Sequence, residues 1–166
     1  AFAYSGLEVA PDGDGGWTVS FTVTNTGGRA GREVAQLYAG VEQDRPTRPR
    51  HELRGFAKVA LDPGESARIE LPLTGRDLSV WDPRDRRWSL AAGTYTVSVG
   101  ASSRDLPLRG EITTEGDRYV RPLTKYCTVG EWRSHPVGGP VIEEIIATFP
   151  GLDDLPPEML EMARSL

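Results

Sequence analysis

The chain has 166 residues, room for one core of ordinary size plus an appendage, and its 19 glycines and 13 prolines suit a turn-rich β domain better than a helical one. Nineteen basic against 24 acidic residues give a formal charge of −5, which argues against a nucleic-acid partner, since such domains usually carry a basic excess. A lone cysteine, Cys127, excludes an internal disulfide and a thiolate metal cluster, and no apolar run approaches the ~20 residues that span a bilayer.

The sequence opens at Ala1 without an initiator methionine and enters strand-like sequence at once, which reads as a piece of a longer protein. Residues 2–9 form a first predicted strand, with Gly6 as its bulge. The cluster Pro11-Asp12-Gly13-Asp14-Gly15-Gly16 predicts a hairpin turn; a calcium loop of the EF-hand type would need more acids and a closing glutamate. Residues 17–24 alternate cleanly. Trp17, Val19, Phe21 and Val23 point inward while Thr18, Ser20, Thr22 and Thr24 point outward, as a half-buried antiparallel strand requires. Asn25-Thr26-Gly27-Gly28 turns the chain, and residues 33–39 return as a strand that is apolar on both faces.

The next segment, residues 40–50, is proline-rich and basic, fits no sheet, and reads as an exposed crossing loop. From 55 to 61, Ala57, Val59 and Leu61 share one face and Lys58 takes the other. Asp62-Pro63-Gly64-Glu65 is a tight turn, because proline presets φ at the first corner and glycine accepts the positive φ of the second. Residues 66–73 alternate again with Ala67, Ile69 and Leu71 inward, which predicts a hairpin. A small ribbon is expected, with residues 77–81 and 87–90 flanking the turn Asp82-Pro83-Arg84-Asp85. Its tryptophans, Trp81 and Trp88, would suit a sugar-stacking platform, but the favoured reading has them closing the end of a core. Tyr95 follows a glycine corner at the start of a late strand, the setting of a tyrosine corner, with Val97 and Val99 beside it in the core. Residues 106–114 supply the last strand. Seven strand-like runs without a helical period before Glu115 predict an all-β, immunoglobulin-type two-sheet sandwich.

Composition shifts after Gly116, and the expected division is 1–116 for the sandwich and 117–166 for a short helical tail. Cys127, Val129 and Trp132 share one side of a short helix that His135-Pro136 ends, because proline restrains the residue before it. Pro140 opens a second helix striped by Val141, Ile142, Ile145 and Ile146, and a third is expected from Pro156 with Met159, Leu160, Met162, Ala163 and Leu166. Helices this short must dock on something, whether the sandwich, a second copy of the chain or parts of a longer protein. Cys127 reads as a partly buried thiol, since neither His51 nor His135 is near it in sequence.

The string Val19 to Thr26, V-S-F-T-V-T-N-T, with Gly31 and Glu33-Val34-Ala35-Gln36-Leu37-Tyr38, resembles the C-terminal fibronectin type III-like domain of family 3 glycoside hydrolases. So do Arg48-Pro49, Glu52-Leu53-Arg54-Gly55-Phe56 and Pro63-Gly64-Glu65, and then Asp77-Leu78, Trp81-Asp82, Gly93-Thr94-Tyr95 and Val99-Gly100-Ala101-Ser102-Ser103. The resemblance covers about residues 2–114; the tail is similar to extensions of some bacterial members. It implies a fibronectin type III-like sandwich from a β-glucosidase-type enzyme. It also implies that the chemistry lies elsewhere, since the family's Ser-Asp-Trp nucleophile motif and Lys-His pair sit on a barrel and neither pair of neighbours occurs here. A retaining glycosidase needs two carboxyl groups about 5 Å apart across a bound sugar, and a small filled sandwich promises no such cleft.

The expected role is therefore a non-catalytic accessory domain that braces the catalytic domains of the parent glycosidase and lends a loop to the substrate cleft. Arg45, Arg48, Arg50 and His51 are the candidate contacts, because arginine's planar fork suits carboxylates or sugar hydroxyls across an interface. The alternatives are a carbohydrate-binding module using Trp81, Trp88 or Trp132, and an oligomerisation module pairing through the tail with a second copy. No cofactor, metal, nucleic acid or membrane partner is predicted.

Overall fold

The computed structural model describes residues 1–41 and 49–148. The chain divides into two compact units, residues 1–117 and residues 118 onward.

Seven strands of the first unit form two sheets. One contains β1 (Phe2–Pro11), β2 (Trp17–Asn25) and β5 (Ser66–Leu73), with β2 in the middle. The other runs β4 (Glu52–Leu61), β3 (Gly31–Gly40), β8 (Gly93–Gly100), β9 (Leu108–Thr114). All pairings within them are antiparallel. A ribbon of β6 (Val80–Asp82) and β7 (Arg87–Ser89) stands outside both sheets.

Alternation explains why the sheets face each other. Val19, Phe21 and Val23 of β2 are wholly buried, as are Ala35, Leu37 and Ala39 of β3 and Val97 and Val99 of β8. They belong to one cluster with Ile69, Leu71 and Leu73 of β5. Burying each of the larger side chains contributes roughly 1.5–3 kcal/mol, so the core fixes which face of every strand turns inward. Gly6 takes φ +62, and the register slips between Ser5 and Glu8, the expected bulge. Tyr95 is 1% exposed and its hydroxyl donates to the Ala91 carbonyl at 2.9 Å, which is the tyrosine corner. Gly64 adopts φ +80 in the 62–65 turn, closed by the Glu65 N–H donating to the Asp62 carbonyl at 3.0 Å.

Three expectations are corrected. Residues 55–61 and 66–73 do not pair as a hairpin. β4 belongs to one sheet and β5 to the other, so the turn is a corner that carries the chain across the sandwich. Conversely, the 40–50 segment does not cross between sheets. Ala39 pairs with Glu52, so it joins neighbouring strands of one sheet. Asp77 and Leu78 are not in the ribbon but helical: α1 (Gly75–Leu78) is a single turn fixed by reciprocal bonds between Thr74 and Asp77. Ser20 faces outward as expected and is nonetheless buried, because the Arg68 guanidinium lies over it, donating to its hydroxyl at 2.7 Å and pairing with Glu8.

In the second unit, α2 (Val129–Ser134) starts at a Thr128–Glu131 capping box and ends at His135, as the His135-Pro136 pair predicts. α3 (Gly138–Thr148) begins two residues before Pro140 because the His135 ring accepts the Val137 and Gly138 N–H groups at 3.1 and 3.0 Å. Gly138 is buried. A Cβ there would meet the Trp132 carbonyl oxygen at 3.0 Å and its ring at 3.1 Å, so glycine permits the close approach of α3 to α2. Arg133 and Glu143 join the two helices at 2.7 Å. Cys127 is not on α2 with Val129 and Trp132 but in the turn before its Thr128 cap, where it is part-buried, and the third predicted helix lies outside the described residues.

Candidate functional site

β4 is an edge strand, and the loop that precedes it returns to its own starting point. A Cβ at Gly40 would overlap the backbone carbonyl of Arg50, so the two ends of the loop are in backbone contact and only glycine fits there. Of the four candidate residues, Arg45 and Arg48 lie outside the described residues. Arg50 and His51 are placed at the base of the loop, both exposed.

The strand then bulges. Leu37 pairs with Gly55 and Tyr38 with Leu53, which leaves Arg54 as the extra residue. Its guanidinium meets the Glu52 carboxylate at 2.8 Å, with both side chains largely shielded. Because Ala57, Val59 and Leu61 turn inward, Phe56 and Lys58 turn outward. Phe56 is 65% exposed, Leu53 is 49% exposed, and Val34 on the adjoining strand is exposed too. Sequence reading did not single out this apolar face. The signal was available: Phe56 has the same parity as Lys58, so an inward Ala57 forces it outward.

The ribbon offers a second aromatic feature, and here the sequence reading is overturned. Trp81 and Trp88 do not close a core; they are 49% and 41% exposed. They are cross-strand partners, edge to face with ring centroids 5.7 Å apart, and the Arg76 guanidinium sits 3.5 Å from the Trp88 centroid. A cation over an indole face is favourable, but it also occupies a face that a sugar would need. The ribbon is anchored by Asp117, which accepts from both terminal nitrogens of Arg87 (3.4 and 3.1 Å) and from the Leu90 N–H at 3.0 Å.

An open depression at the opposite end of β3 and β4 is lined by Gly31, Arg32, Leu61, Asp62 and Glu65 among others. Its Glu65 carboxylate accepts the Asp62 N–H at 2.7 Å and so serves the turn. A strongly displaced acid lies elsewhere. Tyr4 stacks on Phe21 at 6.4 Å, and burial, helped by the Glu33 and Asp105 carboxylates, pushes its hydroxyl from 10.0 up to about 12. The folded state thus keeps a proton that the unfolded chain releases. That contribution to stability is whole below pH 10.0 and is lost as pH climbs toward about 12. Tyr4→Phe should remove this loss. Urea titrations across that interval should show a shallower alkaline decline for the variant, and identical slopes would refute the assignment.

A three-strand sheet facing a four-strand one, with a tyrosine corner, defines a fibronectin type III-like domain, and residues 33–103 match the sequence model of that domain family. The relatives place it further. The chain is 36% identical over 146 residues to an exo-α-(1→6)-L-arabinopyranosidase of Bifidobacterium breve, a match that covers 88% of this chain and 19% of the relative. A probable β-glucosidase M of Neosartorya fischeri is 53% identical over 96 residues, 58% of this chain and 12% of that protein. The crystal structure of a family 3 β-glucosidase from Bifidobacterium adolescentis superposes with a TM-score of 0.75 at 40% identity, covering 86% of this chain and 21% of that one. The chain therefore belongs with the fibronectin type III-like domains of family 3 glycoside hydrolases, bacterial and fungal alike, and spans about a fifth of the length of the Bifidobacterium relatives.

Proposed function

We propose that this chain is a non-catalytic accessory portion of a β-glucosidase-type enzyme: a sandwich of residues 1–116 and a helical extension of 117–166. The sandwich braces the catalytic domains, and the loop carrying Arg45, Arg48, Arg50 and His51 reaches the rim of the substrate cleft. The observation that carries this reading is the filled interior. The space between the sheets is taken by Phe21, Leu37, Tyr95, Val97 and Val99, all essentially inaccessible to solvent, in a chain whose relatives are several times longer and are glycosidases.

Deletion of residues 1–166 from the parent enzyme should lower its thermal midpoint and its turnover on an aryl glycoside. Unchanged values for both would remove the proposal. A carbohydrate-binding role for the ribbon draws support from the exposure of Trp81 and Trp88, but Arg76 on Trp88 weighs against it. Pairing of two copies through the tail draws on the exposed Val141 and Ile145 of α3. The filled core favours the accessory role over both.

A further inference from the structure

Three exposed apolar side chains, Val34, Leu53 and Phe56, project from the same outer face of two adjoining strands. The pairs Val34↔Lys58, Gln36↔Phe56 and Tyr38↔Leu53 set them in successive rungs. Two exposed cations flank these side chains on the same face, Arg32 beside Ala60 and Lys58 opposite Val34, in a chain whose formal charge is −5. A ten-residue edge strand that shows a phenylalanine and a leucine to water is a template for unwanted pairing, and native proteins cover or blunt such edges. Exposed aromatic and aliphatic residues flanked by charge are also the usual anatomy of an interface centre.

We propose that this face is where the domain docks on the remainder of its parent enzyme, and that the surface it meets is apolar at its centre and acidic at its rim. The identity of the occupant rests on the accessory reading above. It is argued from the four-fifths of each Bifidobacterium relative that this chain does not span, and from the sign of the two flanking charges. Phe56 is the anchor, since it is the most exposed of the three.

The test compares the parent enzyme with the 166-residue chain, each with Phe56→Cys as its only cysteine and Cys127→Ser in the background. Maleimide labelling at position 56 should be slowed by about tenfold or more in the parent relative to the chain alone. Glu70→Cys, at an exposed site on β5 of the other sheet, should label equally in both. Charge reversal by Arg32→Glu with Lys58→Glu should restore fast labelling at 56 in the parent, because like charges then face each other. Equal labelling at 56 in parent and chain overturns the proposal. So does slow labelling in the chain alone, whether it persists on dilution, which would place the chain's own C-terminal residues on the face, or disappears, which would place a second copy there. Indifference to charge reversal removes the acidic rim. If position 56 is unprotected while deletion of the domain still destabilises the parent, only this docking face is wrong; if deletion is harmless as well, the accessory role falls with it.

Discussion

Asn25→Asp should lower the unfolding midpoint of the chain by roughly 12–16 °C, the product of a loss of about 3–4 kcal/mol and about 4 °C for each. Asn25 is 1% exposed and closes one end of the sandwich. Its amide nitrogen donates to the Arg29 carbonyl at 2.8 Å and to the Leu61 carbonyl at 3.0 Å, while its oxygen accepts the Gly27 N–H at 2.9 Å. Its backbone takes part as well, donating to the Glu65 carbonyl at 2.9 Å and accepting from Gly64 at 2.8 Å. One residue of β2 thus ties its own turn to the corner between β4 and β5, which joins the two sheets. Aspartate has almost the same shape and keeps the acceptor for Gly27. It removes both donors, however, and points a carboxylate at two carbonyl oxygens in a place that water does not reach. Repulsion and desolvation therefore outweigh the conserved shape. Asn25→Ala, which merely leaves groups unpaired, should cost less, about 2 kcal/mol. The new carboxyl should hold its proton more tightly when folded than when unfolded, so the deficit of Asn25→Asp should shrink as pH falls and that of Asn25→Ala should not. Calorimetry at neutral and acid pH checks both; an aspartate variant as stable as wild type would show that the amide donors carry little.

How much of this was legible beforehand depends on the range of the interaction. Alternation is local, so Val19, Phe21 and Val23 could be placed on one face from the sequence, and so could Tyr95, Val97 and Val99. The Gly6 bulge, the 62–65 turn and the tyrosine corner are also local, each set by residues within a few positions. What failed was pairing. A turn such as Asp62-Pro63-Gly64-Glu65 has the same chemistry whether the flanking strands bond to each other or part to different sheets. The outcome is decided by partners such as Val19, opposite Leu71 and far away in sequence. The same holds for Asn25, read correctly as part of a turn, whose decisive acceptor on Leu61 is 36 residues away.

The candidate site was harder to read than the fold, for a different reason. Composition pointed to the arginines of the loop, and of these Arg50 and His51 stand exposed at its base while Arg45 and Arg48 lie outside the described residues. The more distinctive feature is apolar, and exposure of an apolar side chain leaves no mark in the pattern until the inward face is known. Trp81 and Trp88 fail in the same way. Two tryptophans near the end of a sandwich suit a core plug, but Leu78 of α1 already fills that place, at 0% exposure. The one-turn helix was missed although Thr74 and Asp77 spell its capping pair, because no apolar period of useful length accompanies it.

Gly40→Ala should cost about 2–4 kcal/mol and should loosen the start of β4 in particular. Gly40 ends β3 and pairs with Thr96 of β8, so its backbone is held by the sheet on one side. On the other side the Arg50 carbonyl occupies the space a Cβ would need; even the carbonyl carbon would be only 2.7 Å away. The obstacle is backbone on a strand about to pair, and it cannot rotate aside as a flexible side chain would. The chain can accommodate a methyl only by moving residues 50 and 51 outward, and that carries the Ala39–Glu52 pair, Leu53 and the bulge at Arg54 with it. Two other glycines separate this clash from the general effects of losing glycine. Gly28 has open space and an ordinary φ, so Gly28→Ala should lie within about 0.5 kcal/mol of wild type. Gly13 has open space but φ +88, so Gly13→Ala should cost about 1 kcal/mol from backbone strain alone. Denaturant midpoints should therefore rank Gly28→Ala, Gly13→Ala, Gly40→Ala in falling order. Amide exchange in Gly40→Ala should quicken first at residues 52–54 while Val97 and Val99 stay protected. In the parent enzyme the same substitution disturbs the base of the arginine loop and the Leu53–Phe56 face together, so turnover and the docked state should both suffer even where the core survives. A Gly40→Ala variant with wild-type stability and wild-type exchange at 52–54 would mean that the loop does not close on itself at this point.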